Sequence, residues 1–450
     1  MTQVAEAIAR YHKLIESEPY IDLAWAAALQ ERLKAERLVN MPISPVLRPH
    51  FLGGRDYAAL ERTAATLYSA IDRVEKLVLT HPALMARMHL LPAERMLAAV
   101  EPGYCSATVS GTLDASIHNG PAHFTGYRAL SPSAVIHAEA LSDIYYEAPP
   151  VKEFRKKFKL TKLGGSKSLL QAILKAYKEF GGKNKKPVIA VVELRAPFQP
   201  AEASENAVLV DFLRRSGFDA EQVSPDQLEY KNNALRIGDR AIDIVYRALR
   251  LHEFLVRFDL NHALVRAYKD RVVCMVNNFR AEVTSKRALL DLLTDEAVTA
   301  KFPAAERKAI KDCIPWTRIV QAGKTTHGNR SVDFIEYVMK HRTKLVLRPN
   351  DQGSDQSIFR GAELDEPGWE KALRQAMRTP YVVQEVAETS RAVFPLMQYG
   401  SLVMKEMNVS LHPLALQGKV PGASSWLTVA GSNGFSTLSG LAPAFILEGK

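Results

Sequence analysis

Apolar residues recur at spacings of three and four through the first hundred positions, in AEAIARYHKLI, DLAWAAALQERLKAERL, DYAALERTAATLYSAIDRVEKLVL and ALMARMHLL. That period predicts amphipathic helices and few strands there. Asp56 has the residue type of a helix start, as does Ser131, which is followed by Pro132 where a first-turn proline is tolerated. Between them, CSATVSGTLDA and HFTGYRAL are short runs flanking His118-Asn119-Gly120-Pro121, which predicts a hairpin leading into a helix. After Pro187 the pattern changes to a continuous apolar run, VIAVVELR, of the kind found in a strand covered on both faces. NAVLVDFLRRSGF, ended by Gly217, then FDAEQVSP and IDIVYRAL complete a β-α-β pattern with a further strand, which predicts a small parallel sheet. HEFLVRFDLNHALVRAYK and SKRALLDLLTDEAV read as helices separated by RVVCMVNN. From Lys344 onward strands dominate, with one helix at GWEKALRQAM. No internal repeat or low-complexity tract is present.

With 450 residues, 47% hydrophobic and 24% charged, the chain has enough apolar surface for two or three lobes and is excluded from the disordered and fibrous classes. Cys105, Cys274 and Cys313 lie far apart with no CxxC pair, so neither a disulfide framework nor a cysteine zinc site is expected, and a reducing compartment is the natural setting. The first residues carry Glu6 and Glu16 within an amphipathic pattern, unlike a signal peptide, and no stretch reaches the ~20 apolar residues of a membrane span. A cytoplasmic protein with no membrane partner is the expectation. The formal charge is +10, and the segment Lys152 to Lys186, with twelve Lys or Arg against Glu153 and Glu179, holds all of that excess. Its flanking prolines and two Gly-Gly pairs suggest an insertion or exposed lobe. Such a segment suits polyanion binding, yet it has no aromatic pattern for base stacking, so nucleic acid is a minority reading beside a solvated basic helix.

Most motifs fail on inspection. Ala322-Gly323-Lys324-Thr325-Thr326 resembles the tail of a phosphate loop, but Arg318 stands where the first glycine is required, and a polar surface loop is the better reading. Gly164-Gly165-Ser166-Lys167-Ser168 is equally incomplete, and GxSxG, HExxH and calcium-loop patterns are missing. His252-Glu253 lacks a second histidine one turn on.

One region carries more. KLVLRPNDQGSDQSIFRGAELDEPGWEKALRQAMRTPYVVQEVAE sets a strand ending basic-Pro-Asn-Asp, a polar loop, a Trp-containing helix and a strand ending Val-Val-Gln-Glu. This resembles the nucleotide-binding core of the ATP-grasp superfamily, and more narrowly the circularly permuted group around glutathionylspermidine synthase and eukaryotic-type glutathione synthetase. YRALSPSAVIHAEALSDIYYE, AIDIVYRAL, SKRALLDLLTDE and NVSLHPLALQGKVPGASSWLTVAG fall in that family's order over residues 104–450. The resemblance implies an α+β and α/β architecture: a helical lobe over 1–103, a hairpin-helix region with the basic insertion over 104–186, a Rossmann-like region over 187–270, and an ATP-grasp core over 271–450 shared with 104–150. It implies ATP or ADP as ligand. It also implies a carboxylate and an amine as substrates, joined through an acyl phosphate. By the same resemblance Lys286 or its neighbour Arg287, together with Arg348, faces the phosphates, and Gln384, Glu385 and Val386 form the adenine hinge. Period-two alternation separately puts Lys344, Val346 and Arg348 on one strand face.

The departures from the family fall on the chemistry. Gln352 stands at the place of a metal-binding glutamate, and Gly353-Ser354-Asp355 replaces a Gly-Gly run. Gly126 and Arg128 replace a Glu-x-Asn pair, Asn408 an aspartate, and Trp426 an arginine that would neutralise transferring phosphate. Neutral amides do not supply the charge with which carboxylates hold Mg2+. These changes argue that the Mg2+ site has been lost or rebuilt, and no metal ligand is assigned. Three readings follow: a ligase-lineage protein, impaired in Mg-ATP chemistry, with a binding or partner-subunit role beside a ligase; an active ligase using Asp351, Asp355 or Glu385 for the metal; and a polyanion-binding protein acting through 152–186.

Overall fold

A computed structural model describes residues 3–36, 38, 41–105, 108–117, 120–129, 133–195, 204, 206–328, 330–352, 356–430 and 436–448. The predicted helix starts at Ser131 and Pro132, the turn residues His118 and Asn119, and Gly353, Ser354 and Asp355 lie outside the described residues. Among the described residues no helix is long and apolar enough to cross a membrane.

The long N-terminal periodic segment forms the helix Gly54–Thr80, which buries Leu60, Ala64, Leu67, Ile71, Val74 and Val78 along one stripe. That stripe meets Leu113, Ala115, Phe124, Leu411, Ala415 and Ala423 on one face of a six-stranded antiparallel sheet. The sheet runs Gly440–Ala442, Lys419–Val429, Ser401–Leu416, Ser110–Ile117, Ala122–Arg128, with Ser390–Gln398 pairing the first half of Ser401–Leu416. The predicted hairpin strands thus pair, from Thr112 opposite Arg128 to Ile117 opposite Ala122, with the register shifting by one residue between Asp114 and Ala115. The β-α-β pattern gives a four-stranded parallel sheet, in the order Cys274–Val276, Ile244–Arg247, Ile189–Val192, Ala220–Val223. All four residues of Ile189–Val192 are buried, as a continuous apolar run requires. The strands beyond Lys344 build a second antiparallel sheet, in the order Thr317–Ile319, Tyr381–Glu385, Leu345–Pro349, Phe359–Arg360. The helix Glu366–Ala376 packs on it through Trp369, Ala372 and Leu373.

Several expectations need correction. Residues 1–103 include a strand, His50–Gly53, paired in parallel with Ala444–Leu447, which in turn pairs with Leu160–Lys162. The basic segment does not stand apart. Phe154, Leu169, Ala172, Ile173, Ala176 and Tyr177 share one core with Tyr11, Phe51 and Phe445, so only the lysine-bearing face is solvated. SKRALLDLLTDEAV is not one helix: it begins outside any helix, where Lys286 bridges Asp351 and the Arg287 amide donates to Asn350 O at 2.8 Å, and then forms two short helices, Ala288–Leu293 and Glu296–Thr299, parted at the Asp295 N-cap. Lys344 ends a 3-10 turn, Arg342–Lys344, and is exposed rather than part of the strand face. The Gly323-Lys324-Thr325 segment enters a hairpin, Lys324–His327 with Arg330–Asp333. Gly164-Gly165 is explained by packing: a Cβ on Gly422 would lie 1.6 Å from Gly164 O, so two backbones touch here and no phosphate cradle is needed.

Candidate functional site

Alternation along Ser401–Leu416 sends Leu411 and Ala415 to the helix-covered face, so Asn408, Ser410 and His412 point to the other side. Residues directly opposite in an antiparallel ladder share a face. His412 is opposite Ser424, Ser410 opposite Trp426, Asn408 opposite both Thr428 and Arg391, Asp114 opposite Gly126, and Thr112 opposite Arg128. His412 Nε2 lies 3.6 Å from Asp114 Oδ1, which joins the two halves of this row. Gly126, Arg128, Asn408 and Trp426, the departures noted in the sequence, therefore share one sheet face.

The smaller antiparallel sheet supplies the opposing wall. Arg348 is opposite Val382, and Val346 opposite Gln384, which is opposite Thr317; all lie on one face. Gln384 Nε2 donates to Thr317 Oγ1 at 3.0 Å and reaches Thr125 O at 3.5 Å on the strand that ends in Arg128. Gln352 Nε2 donates to Tyr127 O, next to Arg128. Arg287 Nη1 donates at 2.7 Å to the carbonyl of Pro349, next to Arg348. The two sheets are thus stitched together where three guanidinium groups converge.

The electrostatics are those of a cationic cleft. Burial, then Arg287 and Arg360, push the Arg348 guanidinium down to about 10. Burial also lowers Arg287 to about 10, with Asp114 opposing and Arg128 adding to the shift. Burial would raise the Asp114 carboxyl, but Arg128, with which it is ion-paired, and His412 hold it below its ordinary value. His412 is pushed down to about 4 by burial, against Asp114, and is neutral at physiological pH. Among the described residues, Arg348 Nε, Gln384 Oε1, Asn408 Oδ1 and Ser424 Oγ are buried without hydrogen-bond partners.

The sequence-assigned residues divide. Arg287, Arg348 and Gln384 come together. Lys286 does not join them: its Nζ lies 2.8 Å from both Glu94 Oε1 and Asp351 Oδ2, in a buried ion pair. Sequence reasoning missed Glu94, whose burial on a short helix has no local signal, and Asp114, which the hairpin register, opposite Gly126, places beside Arg128. Glu94, His252 and Asp351 form the one cluster among the described residues that could ligate a metal, but the Lys286 ammonium already supplies its cation. Glu385 points away from the cleft face, and its Oε1 lies 2.8 Å from His327 Nε2. Val386 follows the strand and is half exposed, with its amide donating to Lys344 O at 2.9 Å. Both line a separate cavity of about 1050 Å³ with His123, Thr294, Trp316 and His327, at the opposite end of the Ala122–Arg128 strand from Arg128. Trp426 is partly buried against the core containing Leu414 and Leu441.

The donor set does not fit Mg2+. At the positions aligned with metal ligands there is a glycine, an arginine paired to Asp114, an amide spent on Tyr127 O, and Asn408. None of these supplies a carboxylate.

No family model matches the sequence, and no curated protein matches it. The structure does find a counterpart: a glutathione synthetase-like effector from Globodera pallida, in the apo form, superimposes with a TM-score of 0.62 at 14% identity, covering 96% of this chain and 98% of that one. The fold is thus similar to that of a glutathione synthetase-like effector. A putative gamma-glutamylcysteine synthetase from Methylobacillus flagellatus KT (TM-score 0.39, 8% identity, 84% of this chain and 88% of that one) and the ATP-grasp ligase PsnB in complex with a minimal precursor (0.28, 12%, 58% and 89%) also match.

Proposed function

We propose that this chain is a protein of carboxylate-amine ligase lineage that holds a nucleotide, ATP or ADP, across the cleft between its two antiparallel sheets without turning it over efficiently, and that it acts as a binding or partner subunit. The carrying observation is Arg128. Its guanidinium, paired with Asp114, occupies the face on which a ligase of this kind needs Mg2+, and a fixed positive charge repels a divalent cation. The cavity beside Glu385 and Val386 is large enough for a nucleoside; Glu385 is opposite Leu345, and further along that strand stands Arg348, with Arg287 bonded to Pro349 O beside it, for the phosphates. The permuted order of the core, the boundaries given above, the cytoplasmic setting and the hinge roles of Glu385 and Val386 belong to this reading, with Arg287 rather than Lys286 on the phosphates.

Calorimetry of the purified chain with ATP and ADP, together with an ADP-release assay over a panel of carboxylates and amines, tests it. Binding without turnover is the expected result. Arg348→Ala should weaken nucleotide binding about 10-fold or more, since a charge-assisted contact is worth ~1.5–3 kcal/mol. Equal affinity in the variant removes Arg348 from the site. The alternative, an active ligase with a rebuilt metal centre, draws on Asn408 Oδ1, a buried oxygen without a hydrogen-bond partner among the described residues. It requires Mg2+-dependent ADP formation that Arg348→Ala abolishes.

A further inference from the structure

The cleft contains more positive charge than its own residues neutralise. Arg128, Arg287, Arg348 and Arg360 act on one another there; among the described residues Asp114 pairs with Arg128, and Glu363 lies 3.6 Å from Arg360 at the edge of the cluster. Asp351 is close by but is committed to Lys286 and approached by His252 at 3.5 Å, and Glu94 shares the same lysine. Counting Glu94, Lys286 and Asp351 with the cluster still leaves a cationic surplus. His412, the remaining titratable neighbour, is neutral.

The guanidiniums come from both walls. Arg128 extends from the six-stranded sheet with its side chain 46% exposed. Arg348 extends from the smaller sheet, with Arg287 tied beside it through Pro349 O. The Gln352 contact with Tyr127 O holds the two walls at this point. Guanidiniums present fixed, planar forks that match tetrahedral oxyanions, and they need no dehydration of a metal shell.

From this we propose that Arg128, Arg287 and Arg348 form a metal-independent oxyanion clamp, in which Arg128 provides the counter-charge that Mg2+ would otherwise bring, and that its ligand is the diphosphate portion of an anionic small molecule. The proposal deepens the nucleotide reading and rests on it only for the identity of the group attached to the phosphates. Because the clamp closes across two sheets, its ligand stabilises the folded chain as well as binding to it.

The probe is inorganic pyrophosphate, titrated calorimetrically into the full chain at low ionic strength with EDTA present. Saturable binding in EDTA is expected, with a rise in Tm and a loss of affinity as salt increases. Excess Mg2+ should weaken binding, because the metal-bound anion carries less charge for the arginines. Arg128→Gln should reduce affinity at least 10-fold, with Arg128→Lys intermediate. Binding that requires Mg2+, or equal affinity in wild type and Arg128→Gln, overturns the proposal. If Arg128→Gln fails to fold because Asp114 is left unpaired, the Mg2+ response of the wild type and the Arg348→Gln variant decide. An ATP arm separates the two claims. Pyrophosphate binding without ATP binding leaves the clamp standing and removes the nucleotide. ATP binding only with Mg2+ keeps the nucleotide and removes the clamp, and no binding of either anion removes both.

Discussion

Lys286 Nζ lies 2.8 Å from Glu94 Oε1, and both side chains are almost wholly buried. Burial alone would lower the lysine and raise the glutamate. Glu94 and Asp351 together overcome burial at Lys286 and hold its ammonium above the ordinary value. Removing one partner of such a pair leaves an uncompensated charge in a low dielectric. Lys286→Met should therefore cost about 3–5 kcal/mol in chemical denaturation. The double change Lys286→Met, Glu94→Gln should recover most of that loss, and equal destabilisation of the single and double variants would exclude the pair as the cause.

Arg48 is fully buried, and it donates hydrogen bonds to neutral groups: Pro49 O, Val393 O and His12 Nε2, the last at 3.1 Å. His12 must stay neutral to accept from it, and burial followed by Arg48 push its pKa down to about 4. His50 is held down to about 3 by the same two causes. Between pH 6.5 and about 4 the unfolded chain takes up protons that the folded chain refuses. Stability should fall across that window as pH is lowered. His12→Gln, which can still accept from Arg48, should reduce the slope, as denaturation midpoints at several pH values will show.

Glu75 has the opposite sign. It is buried on the helix Gly54–Thr80 and accepts from Thr108 Oγ1 at 3.1 Å, and burial raises its pKa to about 8. The folded state holds a proton that the unfolded chain loses above the ordinary glutamate value of 4.5, so stability declines as pH rises from there towards 8. Glu75→Gln should be near neutral at pH 5 and more stable than wild type at pH 9. A variant less stable at pH 9 would show that the carboxylate itself is needed.

Gly422 and Gly164 meet backbone to backbone. Gly422→Ala forces a Cβ onto Gly164 O and should cost several kcal/mol or prevent folding, because neither backbone segment is a flexible side chain that can yield. An alanine variant with unchanged Tm would mean that the 164–165 segment moves aside freely.

How far the site could be read from the sequence depended on what determines each contact. The parallel sheet, the hairpin and the strand carrying Arg348 follow from local periodicity, and the structure has them. Alternation could also place Arg348 beside Val346, because that relation lies within one strand. It could not show that Arg128 and Asp114 share a face with His412, since that depends on register between strands about 300 positions apart along the chain. Lys286 went astray for a similar reason. Its neighbour Arg287 faces the cleft while Lys286 turns to Glu94, and an adjacent pair in a break between helices carries no periodicity to tell them apart. The basic segment misled because its lysines dominate the composition, whereas its burial is carried by Leu169, Ala172, Ile173 and Ala176 at helical spacing.

The parallel pairing of His50–Gly53 with Ala444–Leu447 sets a schedule for folding. Ser44 bonds to Leu438, 394 positions later, and the helix Gly54–Thr80 buries its stripe against strands from the same distant part of the chain. At ~5–20 residues per second, a ribosome takes about 20–80 seconds to deliver those partners after the helix has emerged. Throughout that interval the part of the stripe that meets Leu411, Ala415 and Ala423 lacks its native cover, while Leu113, Ala115 and Phe124 follow the helix within seconds. The N-terminal half can therefore gather on the hairpin first, but its sheet closes only when the last strand arrives.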